Sequence, residues 1–160
     1  RIARRQRQMC IRDSMRHALA PGTADPKNFN INDCSTQRNL NEEGRSQSKR
    51  IGIFFKNKNI KIDKVLSSEW CRCKDTANIA FGNFQTFSAL NSFYEARFAK
   101  NKSKQIKELK NFLNSWESDS NLIFVNHFVV ISELLYKGTS SGEMILTDKK
   151  LTILGNLEIN

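Results

Sequence analysis

Histidine is scarce in this chain: His17 and His127 are the only two among 160 residues. With so few imidazoles, the Cys71-x-Cys73 pair makes only a weak zinc pattern, and no metal site is expected. Proline is equally rare, and Pro21 and Pro26 both fall in one loop-like stretch. No apolar run reaches the roughly 18 residues that a membrane-spanning helix requires, so stable membrane insertion is not expected. The opening "RIARRQRQMCIRDS" does not begin with Met and lacks the apolar core of a secretory signal. No internal repeat or low-complexity linker divides the chain, whose length suits one domain with a sizeable core.

What the chain has in excess is positive charge, a formal +10. Residues 1–14 hold five arginines (Arg1, Arg4, Arg5, Arg7 and Arg12) against Asp13, which accounts for +4 and leaves +6 for the body. This segment reads as a disordered basic arm, or as sequence foreign to the fold and similar to translated adapter sequence, with the domain proper at 15–160. The lysines of the body are scattered among Asn and Ser. They form no stripe and no interleaving with aromatics, so they read as a solvated surface, and no nucleic-acid partner is expected. The cysteines are Cys10, Cys34, Cys71 and Cys73. A bridge from Cys34 to Cys71 or Cys73 suits an exported protein, and buried free thiols are the equal alternative.

Hydrophobic spacing predicts the elements. Residues 15–40 read as loop. A helix starts at Asn41, a residue suited to the N-cap, with Glu42 and Glu43 in the first turn and an apolar stripe of Ile51, Phe54 and Phe55. A strand over 61–67 precedes a helix over 72–80 that Gly82 stops. A short strand is expected in "SALNSF". Ile106, Leu109, Phe112, Leu113 and Trp116 follow helical spacing within 102–117. "NLIFV" at 121–125 has the length and composition of a buried strand, "FVVISELLY" follows as a helix, and the chain ends in a two-stranded hairpin. Alternating strands and helices predict an α/β domain with a largely parallel sheet and helices on both faces. Ligands gather at the carboxyl ends of such strands.

Three strand-to-helix junctions then carry Arg16-His17, Arg72 and His127, and one sheet edge would bring them together. Taken singly, each histidine reads as structural. Taken together with two arginines, they read as an anion site at which a guanidinium holds the anion and a neutral imidazole attacks it.

The segments "MRH", "TQRNLNEEGRSQSKRIG", "VLSSEWCRCKDTA" and "NLIFVNH" resemble the histidine phosphatase superfamily, in the branch that includes phosphoglycerate mutases. The matching stretch covers about residues 15–146, and Ser67, Ser68, Arg72, Thr76 and Ala77 keep the most specific spacing. The resemblance implies a three-layer α/β/α sandwich, phosphoglycerate mutase-like. It also implies a phosphoric monoester hydrolase that needs no metal or other cofactor and works through a phosphohistidine on His17. Arg16, Arg72 and His127 would form the phosphate pocket. Mutase activity fits less well, because mutase-type insertions are not evident. The residue expected to protonate the leaving group is missing: Asn91 and Ser92 stand where a Glu is usual, and Glu95 is the nearest candidate. Arg38, Gln37 and Asp33 are candidates for substrate contact. Ala18 stands in place of the usual Gly, and Phe128-Val129 predicts a more closed pocket rim. The segment before Arg16 is not a clean apolar strand. The implied substrate is a phosphorylated small molecule, such as a sugar phosphate, or a phosphohistidine protein. A catalytically weak phosphate-binding module is the alternative. The small relatives it resembles are bacterial, and a periplasmic or exported location is expected ahead of a cytoplasmic one.

Overall fold

A computed structural model describes residues 2–4 and 11–160. The strands are β1 (Arg12–Arg16), β2 (Ile62–Ser67), β3 (Gln85–Thr86), β4 (Asn121–Asn126), β5 (Met144–Thr147) and β6 (Ile153–Leu157). The helices are α1 (Glu42–Asn57), α2 (Cys71–Phe81), the short α3 (Ala96–Ala99), α4 (Lys102–Ser115) and α5 (Phe128–Leu135). The strands form one sheet in the order β3-β2-β4-β1-β5-β6. β1, β2, β3 and β4 pair in parallel, and the C-terminal hairpin adds β5 and β6 antiparallel beside β1.

Alternation along β4 sets the layers. Ile123 and Val125 face one apolar cluster with Ile51 and Phe55 of α1 and Cys73 and Ala77 of α2. Leu122 and Phe124 face the other, with Leu109 and Leu113 of α4 and Val130, Ile131 and Leu134 of α5. A strand covered on both faces favours consecutive apolar side chains, and Leu122 to Val125 form such an unbroken run. Full burial of each such side chain contributes roughly 1.5–3 kcal/mol.

The helix ends follow their predicted chemistry. The Asn41 side chain accepts from Gly44 N–H at 2.8 Å, with Glu42 and Glu43 in the first turn. Gly82, at φ 77°, ends α2 and donates to Asn78 O at 2.9 Å.

Two expectations are corrected. The strand predicted in "SALNSF" lies earlier, at β3, and Ser88–Leu90 form a 3-10 turn. Ala89 and Leu90 are buried in the cluster that α4 covers, and Gln105 of α4 donates to Ala89 O and Asn91 O at 3.1 and 2.7 Å. The second correction concerns the domain boundary at residue 15. Residues 12–14 belong to β1, which lies inside the sheet between β4 and β5. Polar as "RDSMR" is, Arg12, Asp13 and Ser14 are buried. Arg12 Nη2 donates to Trp116 O at 3.2 Å, and Ser14 Oγ accepts from Asn126 Nδ2 at 3.3 Å. Of the predicted basic arm, residues 1 and 5–10 lie outside the described residues, and Ile2 and Ala3 pack against the first apolar cluster.

α1 approaches the chain just after β1 very closely. A Cβ on Gly44 would fall 2.0 Å from Leu19 O. A methyl group there has to push the helix and that loop apart, which costs about 1–3 kcal/mol in a packed interior. Gly44→Ala is expected to lower the unfolding free energy from urea titration by that amount, seen as a lower midpoint. An unchanged midpoint would show that the contact is slack.

Candidate active site

Beyond the carboxyl ends of β1, β2 and β4 lies a cavity of about 240 Å³ whose lining includes Arg16, His17, Asp25, Arg38, Arg72 and His127. Parallel pairing of Arg16 with Asn126 puts His17 and His127 one residue beyond matched strand ends. Their rings lie 5.6 Å apart at 67°.

His17 is 2% exposed. Its Nδ1 lies 2.7 Å from Ala18 O, which can only accept, so Nδ1 carries the proton. Nε2 is left as a lone pair and accepts from Arg72 Nε at 3.2 Å. Burial is the main force depressing the proton affinity of His17, followed by the charge of Arg72, with the Ala18 carbonyl opposing and Arg38 and Arg16 adding to it. The imidazole therefore stays neutral well below its ordinary range. The charges of the arginines contribute, but burial outranks them. His127 is likewise held neutral by burial first, then by Arg72 and His17. Its Nε2 lies 2.9 Å from Ser68 Oγ, and that hydroxyl donates to Asn91 Oδ1 at 3.1 Å. Cys73 Sγ sits 3.5 Å from the same nitrogen, and burial pushes its thiol up to about 12, so it is a neutral neighbour.

The guanidinium groups are held chiefly by backbone carbonyls. Arg16 Nη1 donates to Thr139 O at 2.7 Å, and its fork lies 5.6 Å from the Phe128 ring centre. Arg38 Nη1 donates to Ala20 O. Arg72 Nη1 donates to Arg38 O at 3.3 Å and to Asp25 Oδ1 at 2.8 Å. Ala18 keeps a negative φ, which explains why a Cβ is tolerated there, and its N–H donates to Thr76 Oγ1 at 3.0 Å. Phe128 and Val129 also line the cavity.

Arg16, His17, Arg38, Arg72 and His127 thus converge, and Glu95 lines the same cavity. Glu95 is already engaged: its carboxylate accepts from Asp25 N–H at 3.3 Å and pairs with Arg97 at 2.8 Å. Gln37 and Asp33 do not line the cavity. Gln37 braces the loop, accepting from Cys71 N–H at 2.9 Å, and Asp33 caps the 3-10 turn Cys34–Thr36.

Asp25 is the residue that sequence reasoning missed. It stands before Pro26 in the loop-like stretch, and its partner Arg72 lies 47 positions further on. No local signal links the two. Ser68 was visible in its motif, but its bond to His127 was not.

The loop bearing Asp25 and Arg38 is tied to α2 by a disulfide between Cys34 and Cys71, which settles the bridge left open above. Cys73 remains a buried free thiol.

Fold and pocket together define an α/β protein whose cavity sets three arginines beside a neutral imidazole. Residues 10–128 match the model of the histidine phosphatase superfamily (branch 1), and the chain belongs to that family. The structure of phosphoglycerate mutase from Thermus thermophilus superposes with a TM-score of 0.67 at 13% identity, covering 94% of this chain and 99% of that one. For a candidate phosphohistidine phosphatase SixA from Agrobacterium tumefaciens the TM-score is 0.63 at 16% identity, covering 94% and 99%. For the protein histidine phosphatase SixA complexed with tungstate it is 0.63 at 14% identity, covering 92% and 96%. At these identities the likeness is one of fold. No curated protein matches the chain.

The disulfide closes a loop with a sequence separation of 37. Cross-links of this span stabilise by about 2–4 kcal/mol. Cys34→Ser is expected to lower the urea midpoint accordingly. Dithiothreitol should produce the same loss in the parent protein and none in the variant. An equal response of both proteins to the reductant would place the sensitive thiol elsewhere.

Proposed function

We propose that this protein is a phosphatase acting on a phosphomonoester or a phosphohistidine through a phosphohistidine intermediate on His17. The observation that carries this reading is the lone pair of His17 Nε2, fixed by Ala18 O on one side and Arg72 Nε on the other, in a cavity also lined by Arg16, Arg38 and His127.

The transferred phosphoryl group spreads charge over its equatorial oxygens, and positioned cations stabilise that charge. Guanidinium groups stay cationic at any ordinary pH, and their paired donors match phosphate geometry. In the first step His17 Nε2 forms a bond to phosphorus as the bond to the leaving group breaks. In the second, water oxygen attacks phosphorus, the P–N bond breaks, and inorganic phosphate and neutral imidazole are regenerated with a proton released. Covalent catalysis of this kind splits one hard displacement into two easier ones. His127 contributes to the phosphate pocket, and Ser68 fixes its ring.

Family membership supports a phosphatase or mutase. A phosphatase is favoured because both carboxylates lining the cavity are engaged by cations, Asp25 by Arg72 and Glu95 by Arg97. A strong proton donor is therefore lacking among the described residues, and Glu95 serves at most as a weak one. The best substrates are those whose leaving group departs readily, such as an imidazole nitrogen or an aryl oxygen. A protein phosphohistidine and a small phosphate ester are the two candidate partners, with a sugar phosphate the slower of them. The disulfide favours a periplasmic or exported location. Among the described residues no helix is long and apolar enough to cross a membrane.

A chromogenic aryl phosphate should be turned over in the presence of EDTA, and loss of all activity with the chelator would overturn a metal-independent mechanism. His17→Ala should abolish both turnover and acid-labile phosphate labelling, and retained labelling would move the nucleophile elsewhere. Phosphate binding without turnover in the parent protein would identify the silent binding module instead.

The pH profile has a definite sign. The proton affinity of His17 is depressed, so its neutral, attacking form persists as pH falls through the ordinary histidine value of about 6.5. The kcat/KM for an aryl phosphate should therefore hold from about pH 7.5 to about pH 6. An acidic limb centred near the ordinary histidine value would show an imidazole that is neither buried nor flanked by arginines.

A further inference from the structure

An anion pocket should contain as little negative charge as the fold allows, yet Asp25 lies inside this one. It lines the cavity and its side chain is 7% exposed. Oδ1 accepts from Arg72 Nη1 at 2.8 Å and from Arg38 N–H at 2.9 Å, and Oδ2 accepts from Trp70 Nε1 at 3.0 Å. Burial alone would favour the neutral acid. Arg72 and the donated hydrogen bonds outweigh it and hold the carboxyl below its ordinary range, so Asp25 is an anion.

The other cations of the pocket are held differently. Arg16 and Arg38 donate to carbonyls, which orient a guanidinium without cancelling its charge. Arg72 shares the carbonyl of Arg38, but it also donates to a full carboxylate on one side and to His17 Nε2 on the other. A carbonyl would have sufficed to aim it.

We infer that Asp25 is a charge-balancing positioning residue that acts through Arg72 and weakens the hold of the pocket on free inorganic phosphate. The inference rests on the phosphatase reading above. A phosphatase must release a product bearing the same charge as the group it stabilises. Three uncompensated guanidinium groups in a small, partly buried cavity would retain phosphate. One fixed carboxylate on the innermost of them reduces that field while keeping Arg72 directed at His17.

The test compares phosphate binding in the full-length parent protein with that in Asp25→Asn and Asp25→Glu. Asn keeps an acceptor for Arg72 and Arg38 but removes the charge. Asp25→Asn should bind inorganic phosphate about tenfold more tightly at low ionic strength, and the gain should shrink as salt is added. With an aryl phosphate its product inhibition should strengthen by the same factor. Asp25→Glu, which restores the charge, should bind phosphate as the parent does. A simple structural ion pair predicts the opposite order, with looser binding in the neutral variant. Phosphate affinity equal to or weaker than that of the parent in folded Asp25→Asn overturns the inference, as does equal behaviour of the two variants.

Loss of a buried ion-pair partner also weakens the fold, so the rise in melting temperature on adding phosphate gives a second measure. That rise reports affinity even in a destabilised protein and should be larger in Asp25→Asn than in the parent. A variant that stays unfolded in saturating phosphate would show that the pair serves structure alone. The binding measurements need no turnover, so a parent protein that binds phosphate but hydrolyses nothing would refute the phosphatase reading and leave the charge comparison intact.

Discussion

The register between β1 and β4 is the constraint on which the site depends. Arg16 lies opposite Asn126, and His17 N–H donates to Asn126 O at 3.0 Å. Because the strands are parallel, both histidines leave the sheet at the same edge and in step. Sliding β1 by one residue would exchange the two faces of the strand and carry Met15 out of its cluster. Alternation along β4, with Ile123 and Val125 facing one layer and Leu122 and Phe124 the other, opposes such a slip through both cores. Beyond β1 the segment before β5 closes the lock, since Gly142 N–H is shared by Arg16 O and His17 O at 3.2 and 3.0 Å. The interactions that stabilise the domain are therefore those that align its chemistry.

Electrostatics then limits what the pocket can contain. Arginines side by side repel one another, and burial depresses Arg16 and Arg38 first by desolvation and then through Arg72. Backbone carbonyls offset part of this while leaving net charge for a ligand. The imidazoles could not also be charged in such surroundings, which is the condition for His17 to offer a lone pair. Among the described residues, Glu95 and Asp25 add the only carboxylates lining the cavity, each paired with an arginine.

Much of this was legible in the sequence, and what was legible has a common character. The helix starting at Asn41, the stop at Gly82, the apolar stripe of α4 and the buried run of β4 are local patterns, and all appear where predicted. His17, Arg72 and His127 could be brought together because each sits at a junction that a parallel sheet aligns. β1 was not legible as a buried strand. "RDSMR" has no apolar alternation, and its place comes from ladder bonds to β4 and β5 and from partners more than 100 positions away, such as Trp116 O for Arg12. The edge strand was displaced because "SAL" is apolar for the sake of α4, a contact that periodicity over six residues cannot separate from a strand. Asp25 was invisible for a related reason: a loop carboxylate acquires meaning only from the cation that folding brings to it.

That loop is where the general framework becomes particular. Between Ala20 and Arg38 the only helical turn is Cys34–Thr36, yet the segment supplies Gly22, Thr23, Ala24, Asp25 and Arg38 to the cavity. It owes its order to α2. Asp25 reaches Arg72 and Trp70, Gln37 reaches Cys71 N–H, and the disulfide joins Cys34 to Cys71. All these ties end within the first two residues of α2 or on its N-cap, beside the guanidinium that touches His17. A cavity-lining loop anchored there cannot shift without carrying Arg72 with it. Under the phosphatase reading proposed above, leaving-group recognition and phosphoryl positioning are thereby coupled mechanically, so a group that disturbs the loop also misaligns the attack. In a pocket with little capacity to donate a proton, such coupling lets specificity act on the chemical step as well as on binding.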